Sequence, residues 1–216
     1  VGAQAVLHRL ATGMDEALIY AFIVMAIYFA EQEEYEQSFF YEDLTRDLSA
    51  KFPNTLAATR SMTGRALTLM HSRNRPAEIA SVSLEAIQRG KNCGDLHHAG
   101  LSYGPLLWSL QVQGADLSEI EDYIKDCLHF SDRYHLPVVR GLAEAVQAGW
   151  VEPMKGRASS SIEEKIWQWE QNNHTVLLAS YYIHRALAHY YHGEHKEAER
   201  HLLQAKQHLP SVGNGV

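Results

Sequence analysis

Apolar residues recur every three to four positions along almost the whole chain. No run of alternating β-branched residues is long enough for a strand, so the pattern predicts an all-α protein. Breaks at Gly13 and at residues 31–34, 52–55, 72–76, 93–95, 113–116, 135–137, 149–158, 172–173 and 192–194 cut it into helices of about ten to twenty residues. The connections are short, as in helical hairpins. Pro76 and Pro137 suit a first helical turn, where no amide hydrogen is needed. Asp116 with Glu119 and Ser161 with Glu164 have the capping-box spacing. The stretch "ALIYAFIVMAIYFA" from Ala17 to Ala30 is shorter than the roughly 20 residues needed to cross a bilayer, so it predicts a helix buried on nearly every side.

Behind the helical period lies a longer one. In the C-terminal stretch, Ala179, Ala186, Gly193, Ala198, Ala205 and Pro210 fall at the spacing of a helical-hairpin unit that resembles a tetratricopeptide repeat. Ala186 and Ala198 would let two antiparallel helices approach, Gly193 would permit the turn, and Pro210 would end the second helix. Weaker copies begin near Ile19, Ser61 and Gly100, with Ala26, Tyr35, Ala80 and Gly114 at matching positions. Their period of about forty residues exceeds the ~34 of the standard repeat. The expected architecture is a single domain over residues 1–216, a right-handed superhelix of about five antiparallel hairpins. A first block, 1–149, and a second, 161–216, would flank a loop over residues 150–160, rich in Gly, Pro and Ser. Gly104-Pro105 predicts a kink or break within the first helix of the third copy. Lys155 and Arg157 precede Ser159 and Ser160, but a basic-plus-serine string this short does not define a phosphorylation site.

Composition narrows the functional classes. Apolar residues at 46% and charged residues at 21% match a folded globular chain. The net charge of -7, with no basic cluster, argues against nucleic acid as a partner. Cys93 and Cys127 are far apart, without a CxxC, so neither a disulfide framework nor a zinc site is expected. No secretory pattern opens the chain, which makes a reducing, cytoplasmic location the default expectation. Val1 in place of a methionine, and the closing "PSVGNGV", suggest a piece of a longer polypeptide.

Four segments carry a wider resemblance: "ALIYAFIVMAIYFAEQEEYEQSF", "GKNCGDLHHAGLSYG", "VQGADLSEIEDYI" and "YYIHRALAHYYHGEHKEAERHLLQAKQHLP". Together they resemble the helical region of large multidomain signalling kinases of fungi and bacteria, the fungal hybrid histidine kinases among them. Those proteins join a serine/threonine-kinase-like domain, an AAA-type nucleotide-binding domain, this helical region, a GAF sensor and a histidine-kinase module. The resemblance runs from about Met14 to Pro210, and "GDL" with "AG" at residues 94–100 is its most distinctive part. His97-His98 departs from the family pattern, in which an acidic residue and an aromatic are expected. The resemblance implies a non-catalytic interaction and relay module between an ATP-binding half and a sensor and kinase half, in a parent protein that is a kinase of a two-component system. The piece contains no glycine-rich phosphate loop, HRD, DFG, or phosphoacceptor histidine followed by Glu. No catalytic residue, cofactor or metal is assigned to it.

The remaining candidates are faces. The first helix of each hairpin would line an inner groove with Tyr20, Ile23 and Ile27 early in the chain and Ile183, Leu187, Tyr190 and Tyr191 late in it. Such a groove suits an apolar helix or segment from a neighbouring domain or a signalling partner. Trp167 and Trp169 cannot face the same way on one helix, so one is expected inside and the other is a candidate exposed hot spot. Trp108 and Trp150 read as core. His189, His192 and His195 have spacing that could approach one metal ion, but without HExxH or a nearby Cys they read as a groove-lining set. His97 and His98 point about 100° apart on a helix, and no carboxylate is expected to orient them. Glu119, Glu121 and Asp122 read as a solvated face. Two other readings remain open: the helical sensor arm of a STAND-type ATPase transcription regulator, which would show a ligand-sized pocket, and a histidine-based metal-dependent enzyme.

Overall fold

A computed structural model of the chain describes residues 16–73, 75–157 and 162–208. The expectations for Gly13, Ser159, Ser160, the Ser161 cap and Pro210 lie outside the described residues. Every regular element among the described residues is helical, with no strand. Two compact units divide the chain between Gly114 and Ala115, not at the 150–160 segment.

The first unit begins with the hairpin of α1 (Ala17–Glu31) and α2 (Tyr35–Lys51). Helix α3 (Leu56–Gly64) starts where the Thr55 hydroxyl accepts the Ala58 amide at 3.2 Å. It runs on through a π turn, Arg65–Leu69, and a 3-10 turn, Met70–Arg73. Helix α4 (Pro76–Cys93) has proline in its first turn and ends at Gly94, whose φ of 81° needs no Cβ. Asp95 then caps α5 (Leu96–Leu101), and α6 (Tyr103–Gln113) follows after Ser102. The expected break at Gly104-Pro105 therefore falls just before it, which leaves Pro105 in a first turn where its missing amide costs nothing.

The second unit holds α7 (Leu117–Tyr134) and α8 (Pro137–Val146), the latter continued by a π turn, Gln147–Val151, and the short α9 (Glu152–Met154). Helices α10 (Ile162–Gln171), α11 (Thr175–Tyr191) and α12 (His195–His208) complete it. Helix thus persists through Trp150 to Met154, where a loop was expected. Trp150 and Val151 are buried, and that apolar cover keeps the turn helical despite Gly149 and Pro153. The third repeat copy straddles the unit boundary: α6 pairs with α4, and α7 pairs with α8.

The hairpin turns share one design. The Phe29, Trp169 and His189 carbonyls accept the amides of Glu34, His174 and Glu194 at 2.9, 2.8 and 2.9 Å, the long-range bond of a Schellman closure. Each turn needs one left-handed residue, supplied by Glu33, Asn173 and Gly193 at φ 61°, 54° and 76°. At the last of these, Ala186 and Ala198 are buried between α11 and α12, the hairpin these residues would build.

The core of the first unit forms where Leu18, Ile19 and Phe22 of α1 meet Leu48, Ala57 and Ala58. Beside it lies a buried charge cluster. Glu42 receives the Arg65 Nε at 3.2 Å, and the Arg73 Nε lies 2.8 Å from its other oxygen. Arg65 is brought there by the π turn, and the Arg73 guanidinium also covers the Phe39 ring at 4.4 Å. The second unit packs Leu177, Leu178, Tyr181 and Tyr182 of α11 against Ala145, Ala148, Ile162 and Trp169.

Candidate functional site

Within the first unit, α1 turns two kinds of face outward and inward. Tyr20 is exposed and Ile27 half-buried, but Ile23 is buried with Ala26 and Leu69. Ile23 is therefore no groove residue. Its side chain fills the space above Gly64, where a Cβ would stand 3.4 Å from Ile23 Cγ1. The exposed stripe is instead Tyr20, Val24 and Tyr28, with Glu31 on the same side. Their spacing of four was visible in the sequence, but a helix read as buried all round hid it.

Within the second unit, Ile183 and Leu187 are half-buried, and Ile183 packs against the core cluster. An Asp at Ile183 would therefore disturb folding as well as any groove. Tyr190 and Tyr191 stand 61% and 62% exposed at the end of α11. The Tyr191 ring meets Trp150 edge-on at 5.3 Å, and Tyr190 lies 5.4 Å from His195. Trp169 is 7% exposed in the core and Trp167 60% exposed on α10. Trp150 was read as core alone, yet the π turn aims its ring at Tyr191.

That turn depends on Gly149. A Cβ there would stand 2.9 Å from the Tyr181 carbonyl oxygen and 2.9 Å from His184 Cβ. Gly149→Val is expected to cost about 2 kcal/mol or more, because α8 and α11 must separate. Thermal melting should show the loss as a fall in Tm of roughly 5–10 °C, with Trp150 leaving Tyr191.

Several imidazoles of the second unit make stacking contacts. His189 Nδ1 pairs with Glu194 Oε2 at 2.5 Å, and its ring stacks on His201 at 5.1 Å. The His201 ring in turn stacks on Tyr182 at 5.9 Å. His192 and His195 are exposed. Among the described residues no three His, Cys, Asp or Glu side chains are placed to hold a metal ion. Burial pushes the pKa of His184 down to about 4, and burial, with the Arg200 charge beside it, does the same to His201.

His98 does have an orienting carboxylate, contrary to expectation. Asp95 Oδ1 lies 3.0 Å from its Nδ1, and Arg60 donates to Asp95 Oδ2 at 2.6 Å. The capping position of Asp95 placed it one helical turn below His98. Burial pushes the Asp95 carboxyl upward, but the bonds from Arg60 and His98 outweigh it and hold the pKa below the usual carboxylate range. The "GDLHH" stretch thus ties α3 to α5, and His97 is exposed beside it. Glu121 of the acidic set on α7 binds Lys155 at 2.6 Å and Arg157 at 2.9 Å.

A shallow depression in the second unit is lined by Ser131, Asp132, His135, Leu136, Pro137 and Arg140, none of them an expected groove residue. No helix among the described residues is long and apolar enough to cross a membrane. Comparison with protein-family models, with curated proteins and with solved structures gives no match.

Proposed function

We propose that the chain is a non-catalytic interaction and relay module of a multidomain signalling histidine kinase, built from tetratricopeptide-like antiparallel hairpins in a right-handed superhelix. It would couple the nucleotide-binding half of the parent to its sensor and kinase half. The observation that carries this reading is the outward aromatic end of α11. Tyr190 and Tyr191 stand in solvent above the buried small residues of the α11–α12 hairpin. Large exposed aromatics on a well-packed helix provide contact area at low entropic cost, which is how interface anchors work. Trp167 on α10 is a second such anchor. Relay would follow if a neighbouring domain contacts these rings in one state of the parent and releases them in another.

The test is photocrosslinking in the cell from p-benzoylphenylalanine in place of Tyr190. The expected adducts are to the nucleotide-binding, sensor or kinase modules of a signalling polypeptide. Adducts confined to unrelated proteins, or none above background, would reject the reading.

A further inference from the structure

The outward stripe of α1 differs in chemistry from that of α11. Tyr20, Val24 and Tyr28 lie four residues apart, so they form one apolar face along the helix. Glu31 extends the same face, and Glu33, Glu34 and Glu36 follow in the turn and at the start of α2, all exposed. From Leu10 to Thr45 the sequence holds no Lys, Arg or His. The other carboxylates of the hairpin that point toward α3 are neutralised: Glu42 by Arg65 and Arg73, and Asp43 by Arg46 and Arg73. Among the described residues, no ion pair joins a cation to Glu31, Glu33, Glu34 or Glu36.

An apolar stripe ending in uncompensated negative charge is complementary to one kind of occupant. A second copy of this chain would bring the same carboxylates against each other, and an anionic membrane surface would repel them. We infer that the α1 face, ending at the α1–α2 turn, docks a basic amphipathic helix, with its apolar side on Tyr20, Val24 and Tyr28 and its Lys or Arg side chains beside Glu31, Glu33, Glu34 and Glu36. This rests on the interaction-module reading above and names the chemistry of one partner segment. The Arg60 guanidinium, held by Asp95 at 2.6 Å, also lies 5.9 Å from the centre of the Tyr20 ring, a cation beside the start of the stripe. The contrast with the other unit is direct, because the α11–α12 turn and the start of α12 set Lys196 between Glu194 and Glu197.

The probe is a fluorescent helical peptide of about 18 residues, long enough for five turns, with leucines on one face and lysines on the other. Controls are a scrambled peptide of the same composition and a version with glutamate in place of lysine. The lysine peptide should bind the intact chain, and raising the salt from about 50 mM to about 500 mM should weaken it roughly ten-fold. Combined Glu31→Gln, Glu33→Gln, Glu34→Gln and Glu36→Gln should weaken it about ten-fold or more, and these exposed changes leave the core untouched. Val24→Ser with Tyr28→Ser should weaken it by a similar factor or more. Tyr190→Ser with Tyr191→Ser should leave it unchanged.

Equal binding of the scrambled or glutamate peptide, or indifference to the four glutamine substitutions, overturns the inference. So does sedimentation of the chain as a dimer that Val24→Asp dissociates, since a second copy would then own the face. Failure here with Tyr190 crosslinks intact leaves the interaction-module reading standing, and loss of the Tyr190 crosslinks alone removes that reading without touching this binding assay.

Discussion

Replacing Glu42 by alanine is expected to destabilise the first unit by about 3–5 kcal/mol, because it leaves the buried Arg65 guanidinium without its counter-charge and takes one of two carboxylates from Arg73. Glu42 is almost fully enclosed, Arg65 is buried and Arg73 is only slightly exposed. Taking these charges out of water is costly, and only their mutual placement offsets it. Arg73 keeps a second carboxylate, Asp43, at 3.3 Å and can relax toward it. Among the described residues Arg65 has no such second carboxylate, since its place in the π turn holds it against Glu42. Changing both partners should therefore cost less than changing one: Glu42→Leu with Arg65→Met is expected to recover a large part of the loss, since a paired apolar contact leaves one fewer buried charge. Hydrogen exchange of α2 and α3 in the intact chain measures this. Protection in Glu42→Ala that falls by less than about 1 kcal/mol would show that the cluster is hydrated and contributes little.

The second unit should lose stability in mild acid. His184 and His201 are buried, each with an Nδ1 that finds no partner, and both pKa values are pushed down to about 4 by burial first of all. Arg200, Arg185 and His189 surround His201 and add positive charge, which resists a further proton. In the unfolded chain both imidazoles take up protons near pH 6.5. Above that pH they are neutral in both states and contribute nothing to the dependence. As pH falls from about 6.5 to about 4, only the unfolded chain gains protons, so each histidine costs about 1.4 kcal/mol per pH unit. Below about pH 4 the loss levels off. Two such groups remove several kcal/mol from a total stability of about 5–15 kcal/mol. Urea unfolding followed by the fluorescence of Trp150, Trp167 and Trp169 at a series of pH values should show this slope. His201→Phe keeps a ring between Tyr182 and His189 and should remove about half of it. A slope unchanged by His201→Phe would mean that the imidazole already shares its proton with solvent in the folded chain.

The first unit carries one imidazole of the same kind, since burial holds the pKa of His71 below its ordinary value despite a hydrogen bond with the Ala66 backbone, and it adds a carboxylate. The Asp95 carboxyl is held below its usual range, so its stabilisation is complete above that range and is lost only as pH drops through its folded value. Above the carboxylate range, acid therefore acts on both units through buried imidazoles, His71 in the first and His184 and His201 in the second.

Much of the architecture was legible because it is local. The turn at Gly193, the prolines opening α4 and α8, and the small residues between α11 and α12 all follow from the space and hydrogen bonds within one or two helical turns. The exposed ring of Trp167 beside the buried Trp169 follows from the 100° step of the helix. The faces were less legible. Ile23 and Val24 are adjacent and equally apolar, yet Ile23 is covered by Gly64 and Leu69 while Val24 meets solvent. Periodicity in an almost uniformly apolar helix cannot separate them, since only the arrival of α3 decides which side is covered.

The same division runs through the whole protein. Helical class, most breaks and the geometry of the turns come from the residues themselves, through backbone freedom, capping and apolar spacing. The boundary at Gly114, the helix through Trp150, the Asp95 link to His98 and Arg60, and the pairing of Glu42 with Arg65 and Arg73 come from contacts between residues far apart in the chain. Such contacts are set by the free energy of covering one helix face with another, a quantity that depends on both partners and on the path of the chain between them.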